Sequence, residues 1–366
     1  MNLEEGVRAT VNDLAASAPM PVDLAGAARR KGRGIRRRRQ AGAALVVMAL
    51  AVTPYVVLRK QEAQPAPVSP APTSSAASVR RTAAPQNWTK APLKLPGGAI
   101  VTAVTRTDVG RDTPAGRTLP TGNVVLDRAT GQYVVLKTNY YTVWGAPKKN
   151  RGVVSDGASG LGLIRADGSV KWVQIGYMLD PQWSPDGTRL LASTLKGYTV
   201  IDAATGRTSR QSVPDAIAVC PDNCFFTWLP DGKSIAIARR DLTVAQSEEV
   251  SDTVGELAVY DVATGKQVRT MPVPGVPVSG NAWSPDGRRV LLEAAALGGD
   301  ERRIADTATG KIIKSIPGSN ARFLPNGQIL ALTDKVATLY DPNGTVVEVM
   351  TLPRDFRYRT VSVGTP

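Results

Sequence analysis

The chain has 366 residues and a net charge of +14, and 42% of its residues are apolar, which is enough to bury a large core. Its 34 glycines and 27 prolines predict an architecture with many turns, as all-β domains have. It contains no histidine, which excludes every Ser-His-Asp and Cys-His arrangement and removes the commonest metal ligand. An enzyme would have to work with carboxylates, Lys, Tyr or an unaided cofactor, and we expect no catalytic centre, no metal site and no bound cofactor.

Residues 1–40 are predicted to form a short basic cytoplasmic tail, with nine Lys or Arg against four Asp or Glu. The basic residues are concentrated here and not in a patch on a folded domain, so we expect no nucleic-acid partner. Four apolar residues recur at helical spacing, namely Leu3, Val7, Val11 and Leu14. This stripe could dock on a cytoplasmic protein or on the inner leaflet. The alternative is a disordered tail whose arginines only set membrane topology.

Residues 41–58 read AGAALVVMALAVTPYVVL and carry no charge. As a helix they would extend roughly 27 Å, which covers a hydrocarbon core of about 30 Å when flanking arginines reach the interface. The segment therefore predicts one transmembrane helix. Two alternatives fit less well. A core helix would carry polar residues on one face, and a cleaved signal peptide would have a shorter basic region and a small-residue cleavage site.

The charges on either side of this segment predict its orientation. Eight Lys or Arg residues lie between positions 29 and 40, whereas only Arg59 and Lys60 follow the segment closely. The positive-inside rule then predicts a single-pass membrane protein with its N-terminus in the cytoplasm and its C-terminal part outside. Residues 59–90 are rich in Pro, Ala and Ser and have no apolar periodicity, so we predict a disordered linker there.

Internal repeats dominate the rest of the chain. One pattern is an aromatic residue followed two positions later by Pro-Asp-Gly or Pro-Asn-Gly, and it recurs at intervals of 45, 55 and 40 residues. Its members are Trp183, Pro185, Asp186 and Gly187, then Trp228, Pro230, Asp231 and Gly232, then Trp283, Pro285, Asp286 and Gly287, and finally Phe323, Pro325, Asn326 and Gly327. A second pattern, Asp-x-Ala-Thr-Gly, begins at Asp127, Asp202, Asp261 and Asp306.

Both patterns are typical of tight turns between strands, with proline fixing φ, Asp accepting a local hydrogen bond and glycine taking the left-handed conformation. We therefore expect positive φ at Gly187, Gly232 and Gly287. Alternating hairpins in units of about 40–50 residues, four strands each, predict an all-β propeller over residues 91–366. We count six blades, with five or seven as alternatives. The strand at 358–364 should pair with the first blade and close the ring.

These segments resemble the WD40-like, TolB-type propeller repeat of bacterial proteins, whose signature is an aromatic-Ser-Pro-Asp-Gly turn followed by a hydrophobic strand. The resemblance covers residues 160–350 clearly and 97–160 weakly. The Trp-Asp dipeptide and the Gly-His of the eukaryotic WD40 pattern are missing. The resemblance implies the propeller fold and no particular activity, because one fold supports many functions.

The two cysteines, Cys220 and Cys224, lie in the segment Cys-Pro-Asp-Asn-Cys. This segment offers too few ligands for zinc, and its spacing differs from the Cys-x-x-Cys of thioredoxin-type motifs. We predict a short-loop disulfide, which the oxidising space outside the membrane would favour. Two free thiols are the alternative.

Two segments break the repeat spacing and are candidate binding loops, because binding on a rigid propeller tends to reside in long loops. Residues 140–160 carry an aromatic and basic set, namely Tyr140, Tyr141, Trp144, Lys148, Lys149 and Arg151. Residues 242–256 carry the acidic set Glu248, Glu249 and Asp252, whose spacing matches no calcium loop. For each loop the alternative is a solvated connection.

Taken together, these features favour a membrane-anchored extracytoplasmic propeller that binds a protein, glycan or cell-wall partner. The alternative is a signalling or regulatory protein whose cytoplasmic tail contacts an intracellular partner. A carboxylate-based propeller enzyme is less favoured. The chain has no Gly-x-Ser-x-Gly nucleophile elbow and no histidine to activate one.

Overall fold

The computed structural model describes residues 78–106, 122–138, 140–149, 152–157, 160–165, 168–176, 178–179, 181–221, 224–245, 252–294, 299–356 and 359–366. The predicted tail, the predicted membrane span and the linker up to residue 77 lie outside the described residues. In the described ranges, no helix is long and apolar enough to cross a membrane. These ranges form six β-sheets arranged as the six blades of a propeller, as predicted.

The strands are numbered β1 to β24 in chain order, and each blade is one sheet. The first blade contains β24 (Arg359–Gly364), β2 (Ile100–Arg106), β3 (Val124–Asp127) and β4 (Gln132–Val135). The second contains β5 (Thr142–Gly145), β6 (Gly152–Ser155), β7 (Gly160–Ile164) and β8 (Val170–Gln174). The third contains β9 (Gln182–Trp183), β10 (Arg189–Thr194), β11 (Gly197–Asp202) and β12 (Thr208–Ser212).

The second half of the ring follows the same plan. The fourth blade contains β13 (Thr227–Trp228), β14 (Ser234–Arg240), β15 (Val254–Asp261) and β16 (Gln267–Met271). The fifth contains β17 (Arg289–Leu292), β18 (Glu301–Asp306) and β19 (Ile312–Pro317), and segment 277–283 bridges to β17 as an irregular inner strand. The sixth contains β20 (Asn320–Phe323), β21 (Ile329–Leu332), β22 (Val336–Tyr340), β23 (Val346–Thr351) and β1 (Arg80–Ala83).

Helical structure in the described residues is short. One α-helix, α1 (Pro214–Ala218), joins the third blade to the fourth, and 3-10 turns occur at Trp88–Lys90, Pro96–Gly98 and Arg354–Phe356. The predicted disulfide between Cys220 and Cys224 is confirmed, with a Cα–Cα distance of 5.9 Å. It closes the short loop between α1 and β13, where Cys224 packs into the core beside Phe226.

The hydrophobic core lies between neighbouring blades. Both faces of each sheet are covered by the neighbouring blades, so the middle strands are continuous apolar runs. Residues 235–238 of β14, for example, are fully buried. One cluster joins Leu330 and Leu339 of the sixth blade to Val101 and Leu126 of the first. Outer strands such as β12 and β16 are mostly exposed. The apolar pattern of each hairpin therefore fixes which strands face neighbouring blades and which face solvent.

The C-terminal strand closes the ring, as predicted. Strand β24 is the inner strand of the first blade and pairs antiparallel with β2, for example Val361 with Val104. Both Val361 and Val363 are buried. The first blade is thus built from the two ends of the propeller sequence, which removes a free sheet edge.

The last part of the predicted linker is ordered, which corrects the prediction. Residues 80–83, which we expected to be disordered, form β1 and pair parallel with the outer edge of β23. Trp88 is buried and packs edge-on against Tyr133 and Phe356, with ring centroids 5.0 and 4.9 Å apart. The open edge of β23 offers unpaired backbone groups that an extended segment can satisfy whatever its composition.

Candidate functional site

All six inner strands end in the same way at one end of the central channel. Each is followed by a proline two residues after its last position, at Pro147, Pro185, Pro230, Pro285, Pro325 and Pro366. The first five of these prolines, together with Lys148, line a cavity of about 220 Å³, which we call the mouth. The turns recognised as repeats are therefore four members of a ring of six.

The four repeat turns share one geometry. Their glycines have φ of 70°, 61°, 69° and 81°, in the order Gly187, Gly232, Gly287 and Gly327. Each glycine N–H donates to the carbonyl three residues earlier, at 2.8 to 3.1 Å. Two indole N–H groups link neighbouring inner strands: Trp228 donates to the carbonyl of Gln182, and Trp283 donates to the Thr227 hydroxyl, both at 3.2 Å. Both tryptophans are buried, so these side chains hold the ring together.

Substitution of Gly287 by Val should lower stability through backbone strain alone, without a steric clash. A Cβ at this position would meet nothing within 4 Å, but the φ of 69° is one that a β-branched residue rarely adopts. We expect the free energy of unfolding to fall by about 1–3 kcal/mol in urea titrations. The matched control is Gly255→Val on β15, where φ is ordinary and no Cβ contact is closer than 3.5 Å. Equal effects for the two variants would contradict the assigned turn.

The turn carboxylates predict a loss of stability in acid. The pKa of Asp286 is lowered, first by the Ser284 hydroxyl and then by the Arg288 N–H. Hydrogen bonds from Thr264 and Thr309 lower the pKa values of Asp261 and Asp306. A lowered folded-state pKa contributes stability that is present above the unfolded pKa and is lost as pH falls through the folded value.

We therefore expect stability to be level near neutrality and to fall below about pH 4. The double variant D261N/D306N keeps the side-chain acceptors but cannot titrate, so its stability should fall less steeply in this range. Urea unfolding between pH 2 and 7 measures both slopes. Parallel slopes for the variant and the wild type would contradict the role of these carboxylates.

A second cavity of about 230 Å³, which we call the interior, lies beyond the mouth. It is lined by residues of β5, β9, β20 and β24 and by residues 278–281. Five residues line both cavities, so the two are contiguous parts of one channel: Pro147, Gly280, Asn281, Arg322 and Val363. The inner strands thus surround a space with both polar and apolar walls, which opens through the proline mouth.

Arg322 lies where the two cavities meet, deep in the protein but with part of its surface open to the channel. Its Nη2 donates to Asn320 Oδ1 at 2.7 Å and its Nη1 to the Val363 carbonyl at 3.4 Å, whereas Nε has no partner. No carboxylate of the described residues pairs with it. Desolvation lowers its pKa to about 10, so Arg322 still carries its charge at neutral pH.

Two other buried polar groups in the interior have no partner. Gln182 is only 3% exposed, and neither its Nε2 nor its Oε1 makes a hydrogen bond. The buried Nε1 of Trp183 is also without a partner. Buried polar groups are almost always hydrogen-bonded to protein, water or ligand. The interior therefore offers hydrogen-bonding capacity that the protein itself does not use.

Glu293 is the one acidic side chain lining the interior in the described part of the chain. Burial raises its pKa, and the opposing effect of Arg302 is smaller. The two form an ion pair at 2.9 Å between Glu293 Oε2 and Arg302 Nη2. Because this pair is neutral, Arg322 and Lys148 leave the channel with excess positive charge.

The predicted binding loops only partly reach this channel. Trp144 lines the interior and Lys148 lines the mouth. Tyr140 packs against Trp172 with ring centroids 6.1 Å apart, Tyr141 is 67% exposed beside Gly157, and Lys149 is exposed. Of the described residues predicted in the first loop, Trp144 and Lys148 thus line the channel.

The remaining predicted site residues give no binding geometry. Arg151, Glu248 and Glu249 lie outside the described residues, and Asp252 is half-buried where the description resumes. Within the ranges that the structure describes, no three acidic or cysteine side chains are grouped as metal ligands.

Sequence reasoning missed Arg322 and Gln182, although a signal was present. The position directly before the repeat aromatic holds Gln182, Thr227, Ala282 and Arg322 in the four repeats. An inner strand of a propeller borders the channel, so a charged and an amide side chain at this position stand out. Aligning the repeats one residue earlier would have identified both.

No family model matches this chain, and no curated protein does. Among solved structures it is similar to TolB from Acinetobacter baumannii, at 17% identity and a TM-score of 0.43, over 72% of this chain and 66% of that one. A second similar structure is the dihydro-heme d1 dehydrogenase NirN in complex with DHE, at 20% identity and a TM-score of 0.37, over 63% of this chain and 53% of that one. It is also similar to the hydrazine synthase of Kuenenia stuttgartiensis, at 16% identity and a TM-score of 0.37, over 58% of this chain and 66% of that one. The chain thus spans between about half and two thirds of these structures.

Proposed function

We propose that this chain is a membrane-anchored binding protein whose propeller lies outside the membrane and takes its ligand into the central channel. The partner would be a protein, a glycan or a cell-wall component, and the chain would bind it without catalysing a reaction. The uncharged segment at residues 41–58 and the basic residues before it support the anchor and its orientation.

One observation carries the binding role: the channel contains buried polar groups that the protein leaves unsatisfied. Gln182 and Arg322 both line the interior, and both have buried hydrogen-bonding atoms without a partner. Leaving such groups unpaired costs about 1–3 kcal/mol each. Proteins tolerate this cost where a ligand or ordered water completes the bonds.

Blocking the channel tests this role. Asn281 is exposed and lines both cavities, so Asn281→Trp should fill the passage between them without disturbing the core. The control is Asn87→Trp. Asn87 is exposed, its side chain makes no capping hydrogen bond, and it lines neither cavity. The full-length protein is screened by thermal shift and calorimetry against oligosaccharides, peptides and organic acids.

Compounds that bind the wild type should bind the Asn281→Trp variant at least tenfold more weakly and the Asn87→Trp variant equally well. If the Asn281→Trp variant binds these compounds as tightly as the wild type, the binding site does not lie in the channel. A panel without any binder would also contradict the proposal.

A further inference from the structure

We propose that the channel binds a carboxylate group, with Arg322 as its counter-ion and Gln182 as a second hydrogen-bond donor. This inference rests on the proposed binding function and specifies the chemistry of the ligand. It concerns the group that enters the interior and applies equally to a free small acid and to the C-terminal carboxylate of a peptide.

The first step is the uncompensated charge. Arg322 carries a guanidinium deep in the propeller, and no described carboxylate neutralises it. A buried charge without a partner is strongly unfavourable, and an apolar side chain of similar size would cost less. An arginine at this position therefore points to a negative charge that arrives with the ligand.

The second step is the shape of the free donors. The Nε of Arg322 has no partner, and each Nη has a second hydrogen beyond the one bound by Asn320 Oδ1 or the Val363 carbonyl. These two bonds fix the plane of the guanidinium. A carboxylate in the channel can then accept two hydrogen bonds, one from each Nη, which is a bidentate geometry that arginine favours.

The third step is the relation between Arg322 and Gln182. Each directly precedes the repeat aromatic, one on β20 of the sixth blade and the other on β9 of the third. In a ring of six, these blades lie opposite one another, and both residues line the interior. The unused Nε2 of Gln182 is buried beside the interior, so we assign it as the donor that reaches an anion held by Arg322 when its amide turns towards the channel.

The fourth step favours a singly charged group. Glu293 also lines the interior, and its ion pair with Arg302 uses only one of its two carboxylate oxygens. A phosphate dianion would be repelled more strongly than a carboxylate. The interior has about 230 Å³, which suits a small acid or the last residues of a chain that passes through the mouth.

Calorimetry on the full-length protein tests this proposal with matched probes. The probes are propionate and propionamide, and the tripeptide Ala-Ala-Ala with a free or an amidated C-terminus. We expect the free acids to bind at least tenfold more tightly than their amides. Tighter binding of the free tripeptide than of propionate would identify a peptide terminus as the source, and the reverse order would identify a small acid.

The variants assign the effect to the channel. Arg322→Gln should weaken the binding of the acids at least tenfold and leave the binding of the amides unchanged. Arg207→Gln, at an exposed site on the third blade, should change the binding of neither. Gln182→Leu removes only unused polar atoms, so this variant should fold normally and still bind the acids more weakly. Arg322→Gln should have a Tm no lower than the wild type, because it removes an uncompensated buried charge.

Equal binding of acids and amides, or unchanged binding in both the Arg322→Gln and Gln182→Leu variants, would overturn the carboxylate site. If these variants bind normally while Asn281→Trp does not, the channel remains the binding site and only the carboxylate assignment fails. If Asn281→Trp binds normally as well, both proposals fail.

Discussion

Replacing residues 359–364 by a Gly-Ser sequence of equal length is expected to lower the free energy of unfolding by more than about 4 kcal/mol. Strand β24 is the inner strand of the first blade, and its replacement would leave β2 with an open edge. It would also remove Val361 and Val363 from the core that joins the first and sixth blades. Urea unfolding of the full-length chain, with aggregation followed by light scattering, measures the effect.

The matched control is the same replacement at residues 80–83. Strand β1 also adds a strand to a terminal blade, but it lies on the outer edge and none of its residues is buried. We expect a loss of about 1 kcal/mol or less, since little apolar surface is involved. Similar losses for the two replacements would mean that β24 does not close the ring.

Substitution of Gly145 by Ala is the second change with a large expected effect. A Cβ on Gly145 would lie 2.6 Å from the backbone carbonyl carbon of Thr102, which is closer than real Cβ atoms approach. Either β5 or β2 must then shift at the interface between the first two blades, where the backbone cannot move as a flexible side chain would. We expect the free energy of unfolding to fall by about 1–3 kcal/mol, as in other overpacked cores.

Gly255 provides the control for this substitution. It also lies in a strand at an ordinary φ, but the nearest atoms to its Cβ would be those of Asp241, at 3.5 Å or more. Gly255→Ala should therefore change stability by no more than about 0.5 kcal/mol. If Gly145→Ala is equally mild in thermal and urea unfolding, the first two blades pack less closely than the structure indicates.

The turn patterns show what the sequence could and could not predict. The propeller fold follows from turn patterns, because Pro-Asp-Gly and Asp-x-Ala-Thr-Gly determine local hairpins whatever lies around them. Two members of the ring escaped detection since Gly145 and Gly364 stand where the other blades have an aromatic residue. In both places the neighbouring backbone leaves no room for a side chain.

Other features depend on contacts between distant segments. Strand β1 forms because β23 has a free edge, and nothing in the composition of residues 80–83 signals that pairing. Arg322 and Gln182 belong to one channel only after six blades close into a ring. The predicted loop residues were chosen for loop length, whereas the unsatisfied polar groups lie on short inner strands.

Thiol labelling in intact cells is the most direct test of an anchored extracytoplasmic binding protein. Single cysteines replace Ser17 in the tail, Ser75 in the linker or the exposed Ser209 on β12, in a Cys220→Ala/Cys224→Ala background whose folding is checked first. A membrane-impermeant maleimide should label positions 75 and 209 but not 17, and the protein should remain in the membrane fraction. Labelling of all three positions only after lysis would mean that the propeller is inside the cell and would contradict the proposal.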